Sequence, residues 1–401
     1  MKIKSVRTTR HSCPFETKIF PYWDGIRIIT KKDVMYTRIT TDEGIAGYGE
    51  GNCMRMEEQY PLTKDIVGPA IVGEDPLDIE GIWKKVAKLL PDENRLNLAM
   101  SSIDIALHDI LGKAAGKSVC ELLGGKKRDK VRVYSSAGMY QSPQEYANEA
   151  AHFKSFGFKG YKYRPGMGPE KDIETIRLMR EAVGDDFEIM IDAHTWARRQ
   201  IGYTPAAVEA IAKVAEELDV YFLEMMYSSE DPYLYKRLKS VVPDLPLAGG
   251  EHLSTLAEFE EFLKVLDIIQ TDPSLCGGFT FVKKVAEMAK AEGKQFIGHL
   301  WGTRLASLAL AHLSATFTEK VVPWGEHPLF TTDKIRSMYP FPLAEEIFTK
   351  PLNVADSYIA IPKEPGLGKE IDEKALEKYS YIPGRWSTVY PPRSSVKSLS
   401  A

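Results

Sequence analysis

Three carboxylates each stand at the end of a short apolar run of the chain. These residues are Asp192, Glu224 and Glu251, and about one helix and two loops separate each from the next. Side chains that end successive parallel strands of a β/α barrel converge at its C-terminal mouth. Three anionic oxygens there would repel one another unless a hard cation neutralised them, and oxygen-only ligation suits Mg²⁺. The spacing therefore predicts a magnesium site with these three ligands.

An aspartate and a histidine end two later runs. Asp272 and His299 are 27 residues apart, so we expect them at corresponding points of neighbouring repeats. A carboxylate that orients an imidazole raises its basicity, and such a pair is a competent general base. A lone histidine at a strand end is more often structural, but the register of this pair with the three carboxylates favours catalysis.

Two cations lie on one face of another run. In the sequence from Tyr161 to Gly166, the strand period of two places Lys162 and Arg164 on the same side. If that side is the barrel interior, both cations would bind a substrate carboxylate and depress the pKa of nearby acids. The alternative is a pair of strand-end cations that neutralise surface acids.

Two further side chains could move protons. His194 follows Asp192 by two residues and could protonate a departing hydroxyl, or it could cap a helix or bind a loop. Glu326 lies 27 residues past His299. As a neutral acid it could donate a hydrogen bond to a developing enediolate, which requires a raised pKa. Alternatively, it is a fourth anion that pairs with Lys162 or Arg164.

Substrate contacts are predicted near the N-terminus and after His299. The segment from Phe20 to Arg27 offers polar groups and flat faces that suit a hydroxylated substrate, or it only seals the cap to the barrel. Trp301 could line the pocket or pack beneath it. The candidate residues of the segment are Tyr22, Trp23, Asp24 and Arg27.

The elements that would position these residues form an α/β fold. From about residue 131, eight strand candidates alternate with amphipathic helical stretches, which predicts a (β/α)8-type barrel. Before it, strand candidates are followed by helices, which suggests a separate α+β capping domain. We predict the capping domain at 1–128, the barrel with the active site at 129–343, and a segment at 344–401 that returns to the cap.

Composition excludes several classes of protein. The 401 residues are 44% hydrophobic and 27% charged, with a net charge of −4, which is typical of a globular protein and gives no nucleic-acid or membrane surface. We expect no cofactor besides the metal, because no dinucleotide or P-loop spacing occurs. Four scattered cysteines and an N-terminus without a signal-like apolar core lead us to expect free thiols in the cytoplasm.

Taken together, these motifs resemble the mandelate racemase group of the enolase superfamily over nearly the whole chain. The segment from Ala106 to Lys113, followed by the segment from Glu121 to Gly125, resembles the capping-domain helix and exit of that group. Asp192, Glu224 and Glu251 match its three Mg²⁺ ligands. Asp272 and His299 match its Asp–His dyad, and Glu326 matches its strand-eight acid. The resemblance implies removal of a proton α to a carboxylate, an enediolate stabilised by Mg²⁺, and a cytoplasmic homo-oligomer built from dimers.

One position departs from the pattern of that group. Its second strand carries Lys-x-Lys, in which the second lysine is a base, whereas Arg164 stands here. Arginine stays protonated to about pH 12 or beyond, so it cannot readily accept a proton. We therefore expect dehydration of a sugar acid to a 2-keto-3-deoxy acid, started by His299 and completed by His194. The alternatives are a racemase, epimerase or cycloisomerase that uses the same enediolate, and a barrel that binds ligand without turnover.

Overall fold

The protein is represented by a computed structural model. The structure describes residues 1–15, 20–21, 27–194, 196, 202–226, 231–332 and 335–389. Of the predicted substrate residues, Tyr22, Trp23 and Asp24 lie outside these ranges, and Arg27 is described by its backbone alone.

The N-terminal layer is a three-stranded antiparallel sheet with helices packed on one face. Its strands run in the order β1 (Ile3–Pro14), β4 (Lys31–Thr41) and β5 (Ala46–Gly51). The strands β2 (Phe20–Pro21) and β3 (Arg27–Ile29) form a small second sheet with the C-terminal β16 (Ser387–Val389). The sequence predicts strands at 34–40 and 45–49, which correspond to β4 and β5, and helices at 78–90 and 96–111, which correspond to Ile79–Leu89 and Glu93–Ala115. It does not predict β1.

The longest helix of this layer, Glu93–Ala115, packs directly against β5. It begins after Asp92, whose carboxylate accepts a hydrogen bond from the Arg95 N–H, and it ends at the left-handed Gly116. A Cβ at Gly49 would lie only 1.9 Å from the Ser102 carbonyl oxygen of this helix. Only glycine permits so close an approach of the two backbones. The remaining helices of the layer are Met56–Pro61, the π-helix Leu62–Val67, Gly68–Ile71, Ile79–Leu89 and Val119–Leu122.

Eight parallel strands form the barrel, in agreement with the sequence prediction. The first seven strands pair in chain order, and the last strand pairs with the first. Ahead of the last strand, the Val321 carbonyl accepts a hydrogen bond from the Phe296 N–H of the seventh strand at 2.8 Å. The fifth, sixth and seventh strands are shorter than the runs 246–251, 268–272 and 295–299 that the sequence predicts. The strands are β6 (Lys130–Met139), β7 (Gly160–Arg164), β8 (Glu188–Asp192), β9 (Phe222–Glu224), β10 (Leu247–Gly249), β11 (Ile268–Ile269), β12 (Gln295–Phe296) and β13 (Gly325–Pro328).

Seven helices among the described residues surround this sheet: Pro143–Ser155, Pro169–Val183, Pro205–Glu217, Pro232–Val241, Leu256–Phe262, Gly278–Ala291 and Arg304–Ser314. The lower interior of the barrel is filled by a separate cluster of buried side chains that includes Tyr134, Phe222 and Trp324. This end is therefore a packed core, and any site must lie at the opposite mouth.

The C-terminal segment returns across both parts of the molecule. It contains β14 (Val354–Ala355), β15 (Tyr358–Ala360) and the helices Pro342–Glu346 and Glu373–Lys378. Strand β15 pairs antiparallel with β6 of the barrel, and β16 pairs with β3. The exact division of the chain at 128 and 343 stays a prediction. All four cysteines are buried free thiols, and none of the described helices is long and apolar enough to span a membrane.

Candidate active site

The three predicted ligands lie at the C-terminal ends of consecutive barrel strands. Asp192 and Glu224 end β8 and β9 and stand directly opposite each other in the register of the pair. Glu251 follows β10 by two residues, after a turn at Gly250. Gly250 has φ +107°, and a Cβ there would lie 2.9 Å from the Gln270 carbonyl oxygen, so this turn requires glycine.

Lys162 lies between the carboxylates at the centre of this mouth. Its Nζ is 2.9 Å from Glu224 Oε2, 2.9 Å from Glu326 Oε1 and 3.8 Å from Asp192 Oδ2. The lysine side chain is fully buried. Lys162 therefore points into the barrel interior, as predicted. Its partners are buried acids of the site and not surface acids.

Arg164 lies two residues after Lys162 on β7, further toward the mouth. Its Nε is 3.2 Å from Asp192 Oδ2, and one terminal nitrogen is 3.5 Å from Glu326 Oε1. The other donates to the Ala137 carbonyl at 3.2 Å. The guanidinium carbon lies 4.2 Å from the centroid of the Trp301 ring, a cation–π contact. The arginine is thus fixed as a cation in contact with two carboxylates.

The buried acids differ in how readily they carry charge. Burial favours the neutral form of Asp192, but His194 and Lys162 outweigh it and hold its pKa below the usual range. For Glu224, burial together with neighbouring Asp192 and Glu251 outweighs Lys162 and raises the pKa to about 8. Burial is the largest cause of this raised pKa, and the neighbouring carboxylates add to it.

A divalent cation fits this donor set in chemistry. Asp192, Glu224 and Glu251 are all buried and present only carboxylate oxygens, which are the ligands that a hard cation prefers. Within the described ranges, no three His, Cys, Asp or Glu side chains are arranged as a metal-binding group. The carboxylates contact instead the cations and histidines of the protein itself.

The predicted Asp–His pair is formed. His299 Nδ1 lies 3.1 Å from Asp272 Oδ2. The aspartate is held in place, because its Oδ1 accepts hydrogen bonds from the Ser274 N–H at 2.7 Å and the Ser274 hydroxyl at 2.6 Å, and Asn52 donates to its Oδ2 at 3.2 Å. Asp272 therefore orients the imidazole so that Nε2 faces the mouth of the barrel.

The second nitrogen of His299 contacts a predicted metal ligand. Nε2 lies 3.2 Å from Glu251 Oε2. Burial alone would lower the pKa of His299, but Glu251 and the hydrogen bond with Asp272 raise it to about 10. In this arrangement the imidazole is protonated at neutral pH. The contact with Glu251 favours the protonated imidazole, so a base role for His299 requires that this carboxylate be neutralised by another partner.

His194 is brought to the same group. Its Nδ1 lies 2.5 Å from Asp192 Oδ1, and the side chain is half-buried. It lines a cavity together with Arg164, Glu251, His299 and Trp301. We call this space the catalytic cavity. The cavity brings His194 near His299, the predicted base, and near Arg164, which is the arrangement expected for an acid that acts on the same substrate.

Glu326 is placed as an ionised group. It accepts hydrogen bonds from the Ser136 hydroxyl at 2.6 Å and the Leu300 N–H at 2.8 Å, and it contacts Lys162 and Arg164. Burial raises its pKa, but Lys162 and His299 outweigh burial and lower it. A neutral hydrogen-bond donor requires a raised pKa, so the geometry supports the alternative, an anion paired with the two cations.

Other polar side chains of the site were missed in the sequence. Gln270 donates to Glu224 Oε2 at 3.0 Å, and its position two residues before Asp272 could have indicated the shared strand face. Asn52 comes from the N-terminal layer, and no local pattern links it to Asp272. Trp301 both lines the catalytic cavity and packs on Arg164, and its indole N–H donates to the Tyr339 hydroxyl.

Comparison with known proteins agrees with this fold. Residues 7–124 match the family model "Mandelate racemase / muconate lactonizing enzyme, N-terminal domain", and residues 145–375 match "Enolase C-terminal domain-like". Together these matches cover most of the chain. The protein belongs to the mandelate racemase/muconate lactonizing enzyme group of the enolase superfamily, and it is an enzyme.

Similar proteins catalyse more than one reaction, by their names. The chain is 30% identical to D-galactarolactone cycloisomerase of Agrobacterium fabrum, over 94% of this chain and 99% of that protein. It is 31% identical to arabinonate dehydratase of Saccharolobus solfataricus, over 86% of this chain and 90% of that protein. The crystal structure of 3,6-anhydro-D-galactonate cycloisomerase from Zobellia galactanivorans superposes with a TM-score of 0.81 at 28% identity, over 95% of this chain and 100% of that one.

Proposed function

We propose that the protein is a Mg²⁺-dependent dehydratase of a sugar acid, which it converts to a 2-keto-3-deoxy acid. The observation that carries this proposal is the content of the catalytic cavity, where His299 and His194 stand with Arg164 and no second neutral base lies on β7. Relatives named as arabinonate, gluconate and galactonate dehydratases support it.

The reaction begins at the α-carbon of the substrate. Lys162 and Arg164 hold the substrate carboxylate, and His299 Nε2 accepts the α-proton while Asp272 stabilises the imidazolium at Nδ1. The electron pair of the C–H bond passes into the carboxylate to form an enediolate. A bound Mg²⁺, held by Asp192, Glu224 and Glu251, would supply charge stabilisation for that enediolate.

The second stage removes the β-hydroxyl. The enediolate electrons form the C2–C3 double bond as the C3–O bond breaks, and His194 gives its proton to the departing hydroxyl, which leaves as water. The enol then takes up a proton at C3 and becomes the 2-keto-3-deoxy acid. Arg164 cannot act as a second proton carrier on the opposite face, which disfavours inversion at the α-carbon.

The second candidate is a cycloisomerase, because relatives with that name match nearly the whole chain. It would use the same base and the same enediolate but expel a ring oxygen of a lactone or anhydro sugar instead of a hydroxyl. Racemases and epimerases are disfavoured by Arg164, as stated above.

The test is a screen of sugar acids and their lactones with added Mg²⁺. We expect a 2-keto-3-deoxy acid from an open-chain sugar acid, measured by semicarbazone absorbance, and no product in EDTA. Keto product from lactones or anhydro sugars alone would replace dehydratase by cycloisomerase. Inverted substrate without keto product would refute both.

A further inference from the structure

A second cavity adjoins the catalytic cavity on the side of the N-terminal layer. It is lined by Lys32, Cys53 and Tyr339, among others, and we call it the outer chamber. The two cavities share three lining side chains, Met54, Met139 and Trp301. The two cavities are therefore adjacent and are separated by these three side chains.

Lys32 is a buried cation whose contacts are neutral. The residue is 7% exposed, and its Nζ donates to Cys53 Sγ at 2.8 Å. Cys53 is a thiol, since its Sγ donates in turn to the Trp301 carbonyl oxygen at 3.2 Å and burial raises its pKa. Across the part of the chain that the structure describes, Lys32 forms no salt bridge with any carboxylate.

The other charges of the outer chamber cancel each other. Lys31 Nζ lies 2.9 Å from Asp33 Oδ2, and the Ser12 hydroxyl donates to Asp33 Oδ1 at 2.6 Å. This pair leaves the charge of Lys32 unbalanced. The described lining of the chamber is therefore a net cationic surface.

Aromatic rings surround Lys32 but do not replace a counter-ion. Its Nζ lies 5.2 Å from the Tyr339 centroid, 5.8 Å from that of Trp301 and 5.9 Å from that of Phe341. Cation–π contacts at such distances offset only part of the cost of removing an ammonium from water. No carboxylate among the described lining residues of the outer chamber therefore neutralises Lys32.

The position of Lys32 suits the far end of the substrate. The guanidinium carbon of Arg164 lies 4.2 Å from the centroid of the Trp301 ring, and Lys32 Nζ lies 5.8 Å from the same centroid. The two charged groups are therefore at most about 10 Å apart. That span is within the reach of a short sugar diacid, with one carboxylate at Arg164 and the other at Lys32.

We propose that Lys32 binds the second carboxylate of a diacid substrate, so that the preferred substrates are aldarates. The inference rests on the proposed function, because it takes the reacting carboxylate to lie at Lys162 and Arg164. It goes further in assigning the substrate class to one side chain of the N-terminal layer.

The first arm of the test compares matched substrates. The Mg²⁺-loaded enzyme is assayed with D-gluconate against D-glucarate and with D-galactonate against galactarate. Loss of one partner of a buried charge pair weakens binding by at least about 30-fold. We expect the diacid-to-monoacid ratio of kcat/KM to fall by that factor in Lys32→Met and to be largely retained in Lys32→Arg, which keeps the charge. Lys290→Met, at an exposed lysine, is the control.

The second arm does not require turnover. Calorimetric titration with glutarate and with pentanoate compares a diacid with a monoacid that cannot be dehydrated. Tighter binding of glutarate that Lys32→Met abolishes supports the inference even if the screen yields no keto product, in which case the proposed function alone fails. Equal binding of the two acids, undetectable binding of glutarate, or a diacid preference that Lys32→Met retains would overturn the inference.

Discussion

Among Asp192, Glu224, Glu251 and Glu326, Glu224 is the carboxylate whose pKa is raised, and this gives a prediction about stability. In Glu224→Gln the negative charge is removed while the shape is kept. Lys162 retains Glu326 as a partner at 2.9 Å, so no buried cation is left alone. We expect the metal-free variant to lose less stability than the wild type when the pH rises from 5 to 8.

The magnitude follows from the pKa. Burial and neighbouring carboxylates raise the pKa of Glu224 from 4.5 to about 8 in the folded protein. Between these values the folded state holds a proton that the unfolded state has lost, so the free energy of unfolding falls as pH rises. A rise of this size corresponds to on the order of 4 kcal/mol lost by pH 8, and Glu224→Gln removes this loss.

Thermal midpoints measured in EDTA at pH 5 and pH 8 test this expectation. Asp192→Asn is the matched control, because the pKa of Asp192 is shifted in the opposite direction and its neutral analogue should be less stable than the wild type. With Mg²⁺ added, the wild type should gain stability and Glu224→Gln should gain little. A Glu224→Gln variant with the same pH dependence as the wild type would refute the raised pKa of Glu224.

Three further results are expected. His312 is buried, its Nε2 lies 3.1 Å from the Leu367 carbonyl, and burial lowers its pKa from 6.5 to about 4. The free energy of unfolding should therefore fall as the pH drops through this range. His312→Gln should remove about 3 kcal/mol of that pH dependence in urea unfolding, and an unchanged dependence would contradict the expectation. Gly49→Ala should lower the thermal midpoint strongly or prevent folding, since its Cβ would overlap the Ser102 carbonyl, whereas Gly325→Ala, with its nearest contact at 3.4 Å, should be mild. Arg164→Lys should reduce kcat/KM by roughly tenfold or more. It should not introduce epimerisation, because Asp192 and Glu326 would keep the new lysine protonated. Substrate that gains deuterium from solvent with inverted configuration, observed by NMR, would contradict this expectation.

The residues at the barrel mouth could be predicted because they recur at corresponding points of successive β/α units. Asp192 and Glu224 each end a strand and Glu251 follows one by two residues, and a parallel barrel brings such strand ends together at one mouth. The contact of His299 with Asp272 follows from the same register. Sequence spacing is therefore sufficient to predict the relative positions of residues that lie at the ends of regular strands.

Contacts between distant parts of the chain could not be predicted in this way. Asn52 and Lys32 reach the site from the N-terminal layer, and their positions depend on how that layer packs on the barrel. The charge state of Glu326 also required the structure, because it depends on Lys162, Arg164 and two hydrogen-bond donors that only the fold brings together. Strand β1 was missed because its exposed and buried residues alternate irregularly.

The central claim is that His299 removes the α-proton of a sugar acid. The most direct test uses a substrate of the wild type that carries deuterium at the α-carbon, incubated with Mg²⁺ and either the wild type or His299→Asn, with loss of the label to water followed by NMR. We predict loss of the label with the wild type and none with His299→Asn, although circular dichroism shows both proteins folded. Loss of the label at the wild-type rate in His299→Asn would contradict the claim.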